Sequence, residues 1–270
     1  MPLYMCVTGM VYGLCVFDLG KYRNGRVAFL GNKAKRLLIP YLCVGLFYVA
    51  PVMCLLKFTE QSYLQYCIKG IILGGDSRHL WFISTLFCLF ALCALLNRWL
   101  FKFNSIAIFA ILVGVSFCSN IVPNFLGIQN ILEYSQYFWF GVIIQKYSVL
   151  ICEMLVNPIG CIVMLSVYVV ATITKIGIIQ AYSAILFVFC ILSYVNKDIC
   201  NRGWFQKIKR NGFGIYLFHP MIIYVLFALE KYISISPYLF SGVVFVLSYA
   251  LSYGLTEVLR KAKLGIIIGE

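Results

Sequence analysis

The sequence predicts an all-α fold, a polytopic transmembrane helical bundle of about nine spans. Two features of composition carry that expectation. Hydrophobic residues fill 63% of the 270 positions, with a mean hydropathy of +0.94. Only 11% of residues are charged, where a soluble domain has about a quarter. The third feature is arrangement: apolar runs of roughly 16–22 residues, long enough to approach the thickness of hydrocarbon, alternate with short basic loops. No polar segment is long enough to fold by itself, so 1–270 is expected to form a single domain.

In chain order the expected spans cover about Met1 to Phe17, Leu37 to Leu56, Leu80 to Leu100, Ser105 to Ser119 and Tyr134 to Leu150. They continue at about Pro158 to Thr174, Ile176 to Val195, Phe213 to Leu229 and Pro237 to Leu259. Gly, Pro and aromatic residues are spread through these runs, as membrane helices permit. The fifth run is interrupted by Gln136 and Gln145, and only Lys175 separates the sixth from the seventh.

Charge gives the expected orientation. One set of loops carries Lys21, Arg23, Arg26, Lys33, Lys35 and Arg36, then Arg98 and Lys102, then Lys146. The same side carries Lys197, Arg202, Lys207, Lys209 and Arg210, and finally Arg260, Lys261 and Lys263. The alternate loops hold only Lys57, Lys69, Arg78, Lys175 and Lys231. Positive charge collects on the cytoplasmic side, so Glu270 is expected inside and Met1 outside a cell membrane. A formal charge of +13 is explained by this bias, so nucleic acid is not an expected partner.

Twelve cysteines occur without a C-x-x-C pair. Cys43, Cys54, Cys88, Cys93, Cys118, Cys161 and Cys190 lie in apolar runs and read as small hydrophobes. With two histidines in the chain, a histidine-rich metal site is excluded. No nucleophile elbow, Walker loop, dinucleotide fingerprint or zinc helix is present.

Three stretches remain as candidates for chemistry. Arg78-His79-Leu80-Trp81-Phe82 sets a cation and an imidazole at the mouth of an apolar run. It reads as an interfacial belt with Trp81 and Phe82, or as a site where His79 binds or orients a sugar hydroxyl. Lys33, Arg36 and Pro40 share a helix face, with Pro40 expected in the first turn. They read as a positive-inside anchor, or as a cup for phosphates such as those of coenzyme A. Tyr216, His219 and Pro220 form a supporting group at an expected kink. Glu257 is expected to pair with Lys261, four residues on.

These residues resemble the acyltransferase family 3 membrane proteins. Met1-Pro2-Leu3-Tyr4-Met5 through Thr8-Gly9-Met10 is similar to the family's second span. Lys33-Ala34-Lys35-Arg36-Leu37-Leu38-Ile39-Pro40-Tyr41 resembles its basic segment, and His79-Leu80-Trp81-Phe82-Ile83 its histidine-aromatic segment. Gly214-Ile215-Tyr216-Leu217-Phe218-His219-Pro220 resembles its Tyr-Leu-His-Pro segment. The resemblance implies a ten-span fold that O-acetylates sugars of surface polysaccharide, with acetyl-CoA as co-substrate and no bound cofactor. It implies acyl-donor binding at Lys33 and Arg36, and acceptor binding at Arg78, His79 and Trp81. It also implies that the first span, with an arginine and a histidine taken as catalytic about ten residues later, is missing here, so the catalytic residue is unknown, the chain is expected to be N-terminally truncated, and its activity is left open. A transporter or flippase of a lipid-linked sugar, and an inactive partner of a glycan-export machine, are the competing readings.

Overall fold

The computed structural model describes residues 1–17, 26–100, 102–122, 126–195, 197–230 and 236–270. Lys21, Arg23 and Lys231 of the charge pattern lie outside them, and Arg26, Arg98 and Lys197 are described by backbone only. Among the described residues every regular element is helical. In order they are α1 (Pro2–Phe17), α2 (Arg26–Val44), α3 (Ala50–Leu55), α4 (Tyr63–Gln65), α5 (Trp81–Leu100), α6 (Ser105–Phe117) and α7 (Ile128–Lys146). Then come α8 (Ser148–Leu155), α9 (Pro158–Ile173), α10 (Gly177–Ser193), α11 (Lys197–Asn201), α12 (Gly203–Leu229) and α13 (Pro237–Lys261). A π-turn, Gly45–Val49, joins α2 to α3 without a break, and a second, Tyr66–Ile72, follows α4.

Local chemistry starts these helices. The Asn104 side chain accepts from the Ile106 N–H at 2.9 Å to open α6. Asn157 accepts from Gly160 N–H at 2.7 Å, with Pro158 at the first helical position of α9. Ser236 and Pro237 repeat that arrangement for α13. All three caps supply an acceptor for an orphan N–H, and in α9 and α13 the proline ring's missing N–H costs nothing at that position.

Each of the nine expected apolar runs falls on a helix, but length separates them. Four helical stretches among the described residues are long and apolar enough to cross a membrane: Val27–Leu55, Arg78–Leu96, Gly203–Leu229 and Pro237–Lys261. The expected fifth run is not one straight rod. Its helices α7 and α8 meet at 88°, and together they make at most a fifth span. The helices α1, α6, α9 and α10 are apolar but short. The 13 residues of α6 rise about 20 Å, against about 30 Å of hydrocarbon.

The chain divides into two compact units. The first comprises Met1–Phe29, Leu89–Val122 and Gln129–Cys200. Here α1 crosses α7 at two glycines. A methyl group on Gly9 would come within 1.9 Å of the Phe138 carbonyl oxygen, and one on Gly141 within 1.9 Å of the Cys6 carbonyl oxygen. Tyr12, Phe90 and Phe138 pack beside this crossing, with ring centroids 5.7–6.1 Å apart. The helices α9 and α10 form an antiparallel pair, turned at Lys175 with φ +59°.

The second unit comprises Leu30–Cys88, Pro123–Ile128 and Asn201–Glu270. Its core joins Tyr41, Val44, Met53, Tyr66, Ile83, Leu217, Phe218 and Ile268. Here α12 pairs with α13 along their length, and Gly214 gives room for Thr256. Pro40 lies deep in α2, not in its first turn, because the helix runs back through the basic residues to Arg26. Cys118 is exposed just after α6, unlike the buried Cys93 and Cys190.

Candidate functional site

All the sequence-derived site residues belong to the second unit. The segment before α5 is pinned from two sides. The Tyr41 hydroxyl donates to the Ile71 carbonyl, and the Tyr66 hydroxyl to the Asp76 carbonyl at 2.8 Å. Burial, with the Asp76 carboxylate nearby, pushes the Tyr66 phenol up to about 12. The turn that follows forces Arg78 into the left-handed region at φ +48°, a conformation that costs free energy for a residue with a Cβ. That turn delivers His79 to α12.

His79 Nε2 lies 3.0 Å from the Leu217 carbonyl oxygen. A carbonyl only accepts, so Nε2 carries the proton and Nδ1 presents a lone pair. Nδ1 is buried and has no hydrogen-bond partner among the described residues. Thr85 Oγ1, on α5, is in the same condition. The Tyr216 hydroxyl donates to the His79 carbonyl. The His79 ring stands edge-on to Tyr216, centroids 5.7 Å apart, and 6.4 Å from the ring of His219. His219 Nδ1 donates to the Ile215 carbonyl at 2.9 Å, and Tyr48 donates to the Phe218 carbonyl at 3.3 Å.

Three side chains therefore serve carbonyls in the turn before Pro220, those of Ile215, Leu217 and Phe218. That proline lacks the N–H that would occupy the Tyr216 carbonyl, yet α12 continues through it as one helix in place of the expected kink. Tyr216 and His219 thus stand beside His79, and Pro220 follows them on α12. Arg78 is already engaged. Its Nε sits 3.2 Å from Asp76 Oδ1, an ion pair whose angle falls short of a hydrogen bond, and its guanidinium lies 6.0 Å over the Tyr224 ring. Trp81 packs edge-on to Phe82, 6.3 Å between centroids.

The other candidate pair lies on α2. Arg36 is exposed and donates from Nε to the Gly269 carbonyl at 3.2 Å, while Lys33 is half-buried. Glu257 does not pair as expected with Lys261. Its carboxylate takes Arg260 at 2.9 Å, Arg210 at 3.0 Å and Asn211 Nδ2 at 2.7 Å. Asn211 is fully buried and accepts from Arg260 at 2.6 Å. A spacing of four along one helix finds Lys261, but the partners are Arg260, three residues on, and two side chains of α12, 46 and 47 residues away. The one sequence signal available was scarcity: with nine acidic residues in the chain, each carboxylate near a basic cluster merits a search for its partner.

Long apolar helices and a buried imidazole–tyrosine cluster define a helical membrane protein with a polar site inside it. The chain belongs to acyltransferase family 3: the family model, described as an acyltransferase domain, matches residues 1–257. No curated protein and no solved structure matches it.

Proposed function

We propose that this membrane acyltransferase moves an acetyl group from cytoplasmic acetyl-CoA to a hydroxyl of an exported sugar, such as a unit of surface polysaccharide. The observation that carries the reading is His79, whose protonated nitrogen is committed to Leu217 while its other nitrogen offers a buried lone pair. An unpaired buried acceptor costs about 1–3 kcal/mol, so a polar group held there needs a use. An acceptor hydroxyl donating to Nδ1 supplies it. Trp81 offers an aromatic face to a sugar ring, and Arg78 a cation beside it.

In the transfer the acceptor oxygen forms a bond to the thioester carbonyl carbon and the C–S bond breaks. The hydroxyl proton leaves with the coenzyme A thiol. Lys33 and Arg36 attract the donor's phosphates from the cytoplasmic side, a side assigned by the bias of basic residues. The nine-span single bundle and the outward Met1 belong to the same reading. Family membership favours transfer over the transporter or flippase reading.

The test is labelled acetyl-CoA supplied to membranes containing the protein and an exported glycan. Label in a base-labile ester on the glycan supports the reading. Glycan moved across the membrane without ester would replace it with transport. His79→Ala is expected to reduce acceptor use more than acetyl-CoA hydrolysis, and equal loss of both would remove His79 from acceptor binding.

A further inference from the structure

The segment after α13 is built into the second unit. Lys263 at φ +59° turns the chain, Gly265–Ile268 form a 3-10 turn, and Ile268 enters the core at 3% exposure. Gly269 follows at φ +76°, and a methyl group there would meet the Arg36 carbonyl oxygen at 2.8 Å and the Phe213 ring at 2.9 Å. Only glycine seats the backbone this close. The Arg36 carbonyl is open to that approach because Pro40, four residues on, has no N–H to give it. The Gly269 carbonyl in turn accepts from Arg36 Nε.

Glu270 fastens the segment. Arg260 Nε lies 2.9 and 3.1 Å from its two carboxylate oxygens. Arg260 is itself held by Asn211 and Glu257, so the fastening ends in a fully buried amide. Two consequences follow for Arg36. Its Nε is occupied, which fixes the guanidinium plane. Its two terminal nitrogens have no partner among the described residues and form a fork of the shape that matches a phosphate. The neighbouring Glu270 charge, meanwhile, is neutralised rather than left to repel an anion.

We propose that Gly269 and the Arg260–Glu270 pair are positioning residues of the acyl-donor site, holding Arg36 so that its terminal nitrogens face a phosphate of the donor. This rests on the reading of Arg36 as a donor anchor. The ligand class is a nucleotide-linked thiol ester carrying phosphate. An anionic lipid headgroup offers the same chemistry, so binding is measured in zwitterionic nanodiscs.

The experiment compares coenzyme A with pantetheine, which lacks phosphate, on the whole chain and four variants. Arg36→Ala is expected to weaken coenzyme A about 10- to 100-fold, the range for a lost charge-assisted contact. Gly269→Ala and Glu270→Gln should each weaken it about 3- to 10-fold, with Glu270→Asp restoring most of the loss. Pantetheine should bind all of them as it binds the parent. If Gly269→Ala and Glu270→Gln bind coenzyme A like the parent while Arg36→Ala does not, the positioning role is overturned and the donor reading stands. If Arg36→Ala also binds like the parent, the donor reading itself fails. Equal weakening of both ligands in the Gly269 and Glu270 variants makes the segment structural only, and overturns the proposal.

Discussion

Replacing His79 by phenylalanine separates a functional histidine from a structural one. The ring keeps its edge-on packing against Tyr216, now 5.7 Å between centroids, and the Tyr216 hydroxyl keeps its acceptor, which is the backbone carbonyl of residue 79. One hydrogen bond is lost, from Nε2 to Leu217, worth about 1 kcal/mol and about 0.6 kcal/mol on average inside membrane bundles. One liability is removed, the unpaired buried Nδ1, which costs about 1–3 kcal/mol. The balance runs from near zero to a gain of about 2 kcal/mol. At about 2–4 °C per kcal/mol for a chain of this size, the melting temperature in detergent should hold or rise by up to about 8 °C. Acceptor-dependent kcat/KM should fall about 10- to 100-fold, the value of one hydrogen bond to the reacting hydroxyl. A fall in melting temperature of more than about 5 °C, with activity lost only in proportion to the folded fraction, would refute the reasoning. His79 would then be a packing residue that happens to be polar.

Three other outcomes are expected. Gly141→Ala should cut folded yield and lower the melting temperature sharply, because the added carbon meets backbone of Cys6 and Met10 that no rotamer can move aside; a yield equal to the parent would show that α1 and α7 do not cross this closely. Tyr182→Phe should cost about 1 kcal/mol, since its hydroxyl donates at 2.8 Å to the buried Gln136, and a melting scan reads it directly. The hydrogen bonds and charge of Arg260 hold the Glu270 carboxyl below its ordinary range. Its contribution is therefore present above the unfolded pKa of about 4.3 and is lost as pH falls through the lower folded value. The melting difference between the parent and Glu270→Gln should stay flat from neutral pH to about 5 and close below about 4, and a difference that persists at pH 3 would contradict the ion pair.

Hydropathy located the helices better than it bounded them. It reads where lipid-compatible side chains lie, so it began the eighth run at Phe213, whereas α12 starts at Gly203. Lys207, Lys209 and Arg210 are good helix formers, and nothing in helix propensity stops the rod at the last apolar residue. The same blindness put Pro40 at a helix start. The bend between α7 and α8 has neither Pro nor Gly at Tyr147 to announce it, so the fifth run read as straight. Of the site, residue identities were legible and partners were not. His79 meets a carbonyl 138 residues away, and a backbone acceptor leaves no trace in composition.

One device recurs beside His79 and beside Arg36. A proline inside a helix withholds an N–H, and the carbonyl turn it exposes becomes a docking point for a distant part of the chain. Next to the Tyr216 carbonyl that Pro220 leaves without its helical donor, the Leu217 and Phe218 carbonyls receive His79 and Tyr48. Pro40 does it for the Arg36 carbonyl that Gly269 presses against. In a soluble protein water would satisfy such carbonyls, and the prolines would only weaken their helices. In hydrocarbon no water is at hand, so a carbonyl left open by proline favours close packing of another part of the chain against it. The His79 segment and the Gly265–Glu270 segment thus meet α12 and α2 close to their prolines, on the helices that carry the proposed supporting and donor-binding residues.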